Sequence, residues 1–224
     1  VAETSVADRH TPGAARAHQF DDAEQQRDAV TMGMWVFLVT EIMFFGGLFA
    51  SYVVYRALYP AAFAVASQAL DITLGTLNTA VLLVSSFTMV VAVFGSQTGR
   101  RRPLVGGLAL TIALGLVFLA IKFYEYYQKY VEHHIPGPSF EFPAPYTQPA
   151  KMYFTLYFAM TGLHAMHMIV GCGLLTVLIV MAWRGRFTPE YHSPVEISGL
   201  YWHFVDIIWI FLYPLLYLIG RHLE

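Results

Sequence analysis

The stretch Met32–Tyr55, MGMWVFLVTEIMFFGGLFASYVVY, is an apolar run interrupted by a single carboxylate, Glu41. At about 1.5 Å rise per residue, a helix of about 24 residues crosses the roughly 30 Å hydrocarbon layer of a bilayer, a length that globular helices seldom need. The run reads as a transmembrane span over 30–55, with Glu41 near mid-membrane. An ionised carboxylate is costly at that depth, so Glu41 is expected to face protein or trapped water and to hold its proton or share a hydrogen bond. Three uses stay open for it: a structural hydrogen bond, proton handling, and contact with a ligand or lipid headgroup. His203 or His164, Asn78, or a serine of the second span are the candidate partners.

Composition extends this reading to the whole chain. Of 224 residues, 57% are hydrophobic, 16% aromatic and only 12% charged, with a mean hydropathy of +0.53. These values describe an all-α polytopic membrane protein. One cysteine excludes an intrachain disulfide framework and a thiolate zinc cluster from this chain alone. No basic patch interleaved with aromatics points to nucleic acid.

Residues 1–29 form a polar tail, with a short interfacial helix expected over Asp21–Arg27, and residues 30–224 form one transmembrane domain. Further spans are predicted over 72–95, 104–127, 152–183 and 198–219, giving five in all. In the first, Gly46 and Gly47 would admit a neighbouring backbone. Arg56–Leu70, containing Pro60, reads as a short connection. In the second span, Asn78 and Ser85 are seven apart and share a face that should look into the bundle. A tight turn over Gln97–Pro103 carries Arg100, Arg101 and Arg102. The third span ends in IKFYEYYQKY, where Lys122 and Glu125 are placed to pair on a helix end anchored by an interfacial belt of tyrosines. Five prolines make Val131–Ala150 an extended loop outside the hydrocarbon.

The last two spans hold the histidines. His164 and His167 lie on one face of TGLHAMHMIVG, suited to interhelix hydrogen bonds, or less simply to metal or haem ligation, for which no thiolate or close carboxylate joins them. In YWHFVDIIWIFLYPLLYLIG, Asp206 is placed to orient His203, or both reach a facing helix. Trp202 and Trp209 form an aromatic seam, and Pro214 releases a carbonyl and bends the helix.

With five spans the termini lie on opposite sides. The tail, the triple-arginine turn and the Arg184–Arg186 connection share one side, collecting Arg9, Arg16, Arg27, Arg100, Arg101, Arg102, Arg184 and Arg186. The other side takes Arg56, Lys122, Lys129, Lys151 and Arg221. The positive-inside rule then puts the N-terminus in the cytoplasm and the C-terminus outside, in the periplasm. Three function classes fit such a bundle. A haem-b anchor needs axial histidines on facing helices, for which His164 and His203 are the candidate pair. A proton-coupled transporter calls for an internal repeat, which the pattern does not show. The third class is a cofactor-free subunit packed beside a larger catalytic membrane protein.

Five ordered motifs then carry a resemblance: MGMWVFLVTEIMFFGGLFASY, TLNTAVLLVSSFTMV, GLVFLAIKFYEYYQ, YFTLYFAMTGLHAMHMIVG and GLYWHFVDIIWIFLYPLLY. Over about residues 30–219 the chain resembles subunit III of the haem-copper respiratory oxidases, in the five-helix form that begins at the third helix of seven-helix relatives. The resemblance implies a chain that binds no haem or copper and packs on subunit I, with subunit II and other subunits completing a complex whose redox centres lie elsewhere. It implies no activity for the chain alone, support of subunit I and of its proton uptake, and a place in the bacterial inner membrane. Cytochrome c is the favoured electron donor, with a quinol oxidase subunit or a nitric oxide reductase accessory protein as alternatives. Glu41 matches the family's carbodiimide-reactive carboxylate. Glu125 and Tyr126 match the EY closing the third helix, and His164, His167, Trp202, His203 and Asp206 match the polar signatures of the last two. Lys122 stands where glutamine is usual, and Val91–Ala92–Val93 lacks a histidine common in relatives. The two absent helices form, in seven-helix relatives, one wall of a cleft that holds phospholipid, so any lipid here needs a wall from another chain.

Overall fold

The computed structural model describes residues 23–188 and 191–218. Among them the chain is helical: α1 (Ala23–Leu58), α2 (Pro60–Gln68), α3 (Ile72–Gln97), α4 (Arg101–Val131), α5 (Thr147–Trp183) and α6 (Ser193–Tyr213), the last continued by a π-helical turn over Pro214–Leu218. Five of these segments are long and apolar enough to cross a membrane: Gln25–Leu58, Ile72–Gln97, Arg101–Val131, Thr147–Trp183 and Ser193–Leu218. The five-span architecture is therefore that expected from the sequence. Several helices overrun the expected bounds: α4 covers Arg101–Val131 rather than 104–127, taking in part of the expected arginine turn, and α5 starts at Thr147 rather than at 152, inside the expected proline-rich loop, whereas α3 starts at the expected Ile72 and α5 ends at the expected Trp183.

Three expectations about the ends are corrected. Ala23–Arg27 is the first part of α1 rather than a separate interfacial helix; Asp21 and Asp22 lie outside the described residues, as do Arg9, Arg16 and Arg221. The supposed connection after Arg56 contains α2, which opens with Pro60 in the first turn, where a missing N–H costs nothing. The last span starts at Ser193, with Pro194 in its first turn, five residues before the predicted Ser198.

Local chemistry sets the hairpins that position the interior. Asp71 caps α3, its Oδ1 accepting the Thr73 N–H at 2.8 Å and the Leu74 N–H at 3.3 Å. The α3–α4 turn passes through Gly99 at φ 66°, a left-handed conformation that glycine adopts freely. A Cβ on Gly107 would lie 2.8 Å from the Ala92 backbone nitrogen, so these helices touch backbone to backbone. Thr88 and Thr111 then hydrogen-bond across the seam at 2.7 Å. By contrast, no described residue lies within 4 Å of a Cβ built on Gly46 or Gly47, so the close approach expected there is not made by the other described helices of this chain.

Burial follows the helical period. On α4 the buried stripe runs Leu104, Leu108, Thr111, Gly115, Phe118, Lys122, Glu125 and Lys129, each three or four residues from the last. On α1 only Leu38, Phe45 and Tyr52 are buried among the apolar side chains, at sevenfold spacing, so α1 lies at the rim of the bundle. Trp202 of α6 is the central knob. A Cβ on Gly115 of α4 would come within 2.8 Å of its ring, and one on Gly171 of α5 within 3.0 Å. Its Nε1 donates to Ser85 Oγ on α3 at 3.0 Å, so one indole joins four helices.

Candidate functional site

Glu41 and His167 meet on the rim of the bundle. Glu41 lies midway along α1, three residues after Leu38 and four before Phe45 and so on the same side as that buried stripe, and His167 belongs to α5. Their Oε2 and Nε2 atoms are 3.2 Å apart, with side chains 19% and 12% exposed. His167 Nδ1 lies 2.9 Å from the Leu163 carbonyl oxygen, which can only accept, so Nδ1 carries a proton. The remaining contact then holds one shared proton: a protonated Glu41 donates to neutral His167, or imidazolium donates to carboxylate. In both cases the pair has no net charge, which is how a carboxyl group is accommodated at this depth. None of the partners expected for Glu41 from the sequence, His164, His203, Asn78 or a serine of the second span, makes this contact. Beside it runs an open groove of about 480 Å³, lined by Met34, Phe37, Met166, His167, Val170, Leu174, Ile197, Ser198 and Tyr201.

Lys122 and Glu125 do pair, but inside the bundle rather than at an interfacial helix end. Their side chains are 1% and 0% exposed, and Nζ donates to Glu125 Oε2 at 3.0 Å. Nζ also donates to the hydroxyls of Tyr157 at 3.1 Å and Tyr217 at 3.0 Å. Those hydroxyls donate in turn to Glu125 Oε1, at 2.9 and 2.6 Å. All three ammonium protons are used, and each phenol donates once and accepts once. The ammonium also lies 5.0 Å from the Tyr157 ring centroid and 5.2 Å from that of Trp209. A closed network of this kind ties α4 and α5 to the π turn. Tyr124, Tyr127 and Tyr130, the tyrosines of the expected belt, are exposed on the outer side of the same helix.

The π turn is the local consequence of Pro214. Two carbonyls there are met by tyrosines: Tyr52 donates to Leu215 O at 2.7 Å and Tyr153 to Leu216 O at 2.8 Å. Trp209, the other half of the aromatic seam, donates to Thr79 Oγ1 at 3.1 Å.

His203 and Asp206 do not bond to each other. His203 Nδ1 lies 2.7 Å from Ser86 Oγ on α3, and neither oxygen of the buried Asp206 has a hydrogen-bond partner within the described residues. Asn78 is fully buried, as its shared face with Ser85 predicted, yet its amide also has no hydrogen-bond partner among the described residues. His164 is enclosed by Phe118 and Trp209, with ring centroids 5.3 and 5.2 Å away and no hydrogen bond to either nitrogen among the described residues. His164 and His203 thus turn to different neighbours and do not form the facing pair of a haem anchor. Among the described residues, no three histidine, cysteine or acidic side chains gather as a metal site.

Sequence reasoning missed Tyr157 and Tyr217, the pairing of Ser86 with His203 and that of His167 with Glu41. A signal for the first two was present. Lys122 and Glu125 extend the buried α4 stripe in register, and a buried ammonium with three donors needs hydroxyls besides its carboxylate.

Comparison with known proteins agrees with this architecture. Residues 15–221 match the family model for cytochrome c oxidase subunit III. A protein named cytochrome c oxidase subunit 3 from Scyliorhinus canicula is 35% identical over 200 residues, covering 84% of this chain and 69% of the relative. Its namesake from Synechocystis sp. is 33% identical over 214 residues, covering 94% and 82%. That from Cyprinus carpio is 33% identical over 198 residues, covering 84% and 69%.

Proposed function

The chain belongs to the cytochrome c oxidase subunit III family, and on that premise we propose that it is the cofactor-free support of the catalytic subunit in a bacterial inner-membrane oxidase that takes electrons from cytochrome c. In this reading the N-terminus is cytoplasmic and the C-terminus periplasmic, residues 30–224 act as one transmembrane domain, and the isolated chain has no activity. Oxygen reduction and the redox centres belong to partner subunits. This chain braces the catalytic subunit during turnover and sustains its proton uptake, while phospholipid fills the groove beside Glu41.

One observation carries the reading. The charged candidates are largely engaged within the chain and none gathers as a centre among the described residues: Lys122, Glu125, Tyr157 and Tyr217 satisfy one another and His167 is engaged at both nitrogens, while the unbonded Asn78, His164 and Asp206 are buried singly. Glu41, Asn78, Glu125, His164, His167, His203 and Asp206 are accordingly proposed as structural or proton-holding groups.

The experiment is purification of the complex through a tag on this chain, together with deletion of the chain. Haem- and copper-bearing subunits should co-purify, the isolated chain should give no haemochrome and no stoichiometric metal, and the deleted complex should start at the normal rate but inactivate sooner. About one haem per isolated chain would instead establish the anchor reading. A dinuclear copper ligand set in the partner subunit II checks the electron donor, since its absence indicates quinol.

A further inference from the structure

Two polar pairs sit near the middle of the spanning helices at the edge of the bundle, and the chain satisfies them unequally. In the Glu41–His167 pair both imidazole nitrogens are engaged. In the Ser86–His203 pair Nδ1 lies 2.7 Å from the serine hydroxyl, and Ser86 is the ring's one hydrogen-bond partner among the described residues. Ser86 lies near the middle of α3 and His203 near the middle of α6, and both are partly buried. Leu83 and Val90 stand one turn to either side of Ser86, and Leu200 and Ile207 one turn to either side of His203, all four exposed. Asp206 lies one turn along α6 from His203, buried at 3% exposure with neither oxygen bonded; the Ser86 hydroxyl also faces it but is taken by His203.

Acyl chains offer no hydrogen-bond partner, and ionisable side chains at membrane depth face protein or a water-lined cavity. Ser86 and Asp206 are the polar groups beside His203, and its exposed neighbours one turn away, Leu83, Val90, Leu200 and Ile207, are all aliphatic and give water no polar lining on the outer side. Leucine and valine on the same surface suit either lipid or a packed helix, so the imidazole decides between them. We infer that the α3/α6 face centred on Ser86 and His203 docks on a transmembrane helix of the catalytic oxidase subunit, and that this helix presents a polar side chain to the outer nitrogen of His203. The inference rests on the function proposed above and adds the face through which the support is delivered.

The test uses nitroxide labels in the assembled complex, on a Cys172→Ala background, at Val90→Cys and Ile207→Cys, with Met43→Cys on exposed α1 as the comparison. Collisions with membrane-dissolved oxygen should be lost at Val90→Cys and Ile207→Cys when the catalytic subunit is present, and kept at Met43→Cys. In unlabelled protein, His203→Leu should reduce retention of the chain through detergent extraction while His203→Gln preserves it. If the chain co-purifies with the haem subunits but both labels stay as accessible as in the isolated chain, lipid covers the face and the docking inference falls while the functional reading stands. If the unlabelled wild-type chain does not co-purify with haem subunits, both fall. Concentration-dependent protection in the isolated chain would assign the face to a second copy and overturn the inference.

Discussion

Glu41 Oε2 stands 3.2 Å from His167 Nε2, and the opposite nitrogen of that imidazole is committed to the Leu163 carbonyl at 2.9 Å. The geometry fixes the proton inventory of the contact at one, whichever partner carries it. A relay to either membrane surface needs a chain of polar groups. The near neighbours of Glu41 on α1 are instead Phe37, Leu38, Phe44 and Phe45, and the adjoining Thr40 hydroxyl is turned onto the Phe37 carbonyl.

In Glu41→Gln, the amide can donate to neutral His167 in place of the carboxyl proton, keeping shape and bond while abolishing ionisation. Oxygen consumption and the proton-to-electron ratio of the reconstituted complex should stay close to wild type. Glu41→Ala strands His167 and should shorten the catalytic lifetime or weaken retention of the chain. A collapsed proton-to-electron ratio in Glu41→Gln, with the chain fully bound, would make Glu41 a relay.

The Lys122–Glu125 pair should behave as a buried ion pair whose value lies in completeness. Lys122→Met removes the cation and leaves a carboxylate in a dry interior, which costs about 3–5 kcal/mol when a buried pair is broken from one side. Replacing both residues by glutamine keeps hydrogen bonds to Tyr157 and Tyr217 without charge and should recover more than half of that loss. Reversible unfolding in mixed micelles measures both variants. A double variant as unstable as Lys122→Met would show that the charges themselves stabilise the bundle.

Much of the helix count was readable because span length and apolar composition respond to bilayer thickness, and Asp71 marks the start of α3 by a local rule. The partners were not readable. Whether Glu41 meets His167 or His164 depends on the relative rotation of α1 and α5, and the two histidines lie one turn apart on α5, on neighbouring faces. Lys122 looked interfacial because Tyr124, Tyr127 and Tyr130 follow it and are exposed, whereas its own position continues the buried α4 stripe. Gly46 and Gly47 had the small-residue signature of close packing, yet contact is made at Gly107, Gly115 and Gly171, where a large partner such as Trp202 or a facing backbone happens to sit.

That contrast among glycines is directly testable. Gly115→Val places new atoms against Trp202, and overpacking of a close-fitting site costs about 1–3 kcal/mol. Gly46→Ala and Gly173→Ala, with nothing within 4 Å of the added Cβ, should leave stability unchanged or slightly raised. Combining Gly115→Val with Trp202→Phe should return part of the loss, because the smaller ring vacates the slot. Equal losses at Gly46 and Gly115 would mean that the indole slot is not what holds these helices together.

Outside the spans, the loop over 132–146 carries a pH dependence whose sign follows from its surroundings. His134 stacks on Phe154 of α5 at 5.0 Å and lies 5.5 Å from Phe142, while its Nδ1 is 3.0 Å from Glu132 Oε2. Burial against these rings lowers its pKa below the ordinary 6.5, the Lys129 ammonium of α4 lowers it further, and Glu132 opposes both. Lys129 is itself held by Glu132 and by the Ala69 carbonyl, so its charge stays beside the imidazole. A histidine whose folded pKa is depressed takes up its proton more readily once the loop opens. Its contribution to stability is therefore full above pH 6.5 and is lost as pH falls through the unfolded pKa toward the folded one. Hydrogen exchange over 133–146, corrected for the intrinsic rate, should show increased opening between about pH 7 and about pH 5, with α5 unaffected. His134→Phe keeps the ring stack and removes the titration, so its exchange should not change with pH over that interval. If the loop of His134→Phe still opens on acidification, Glu132 rather than His134 governs it.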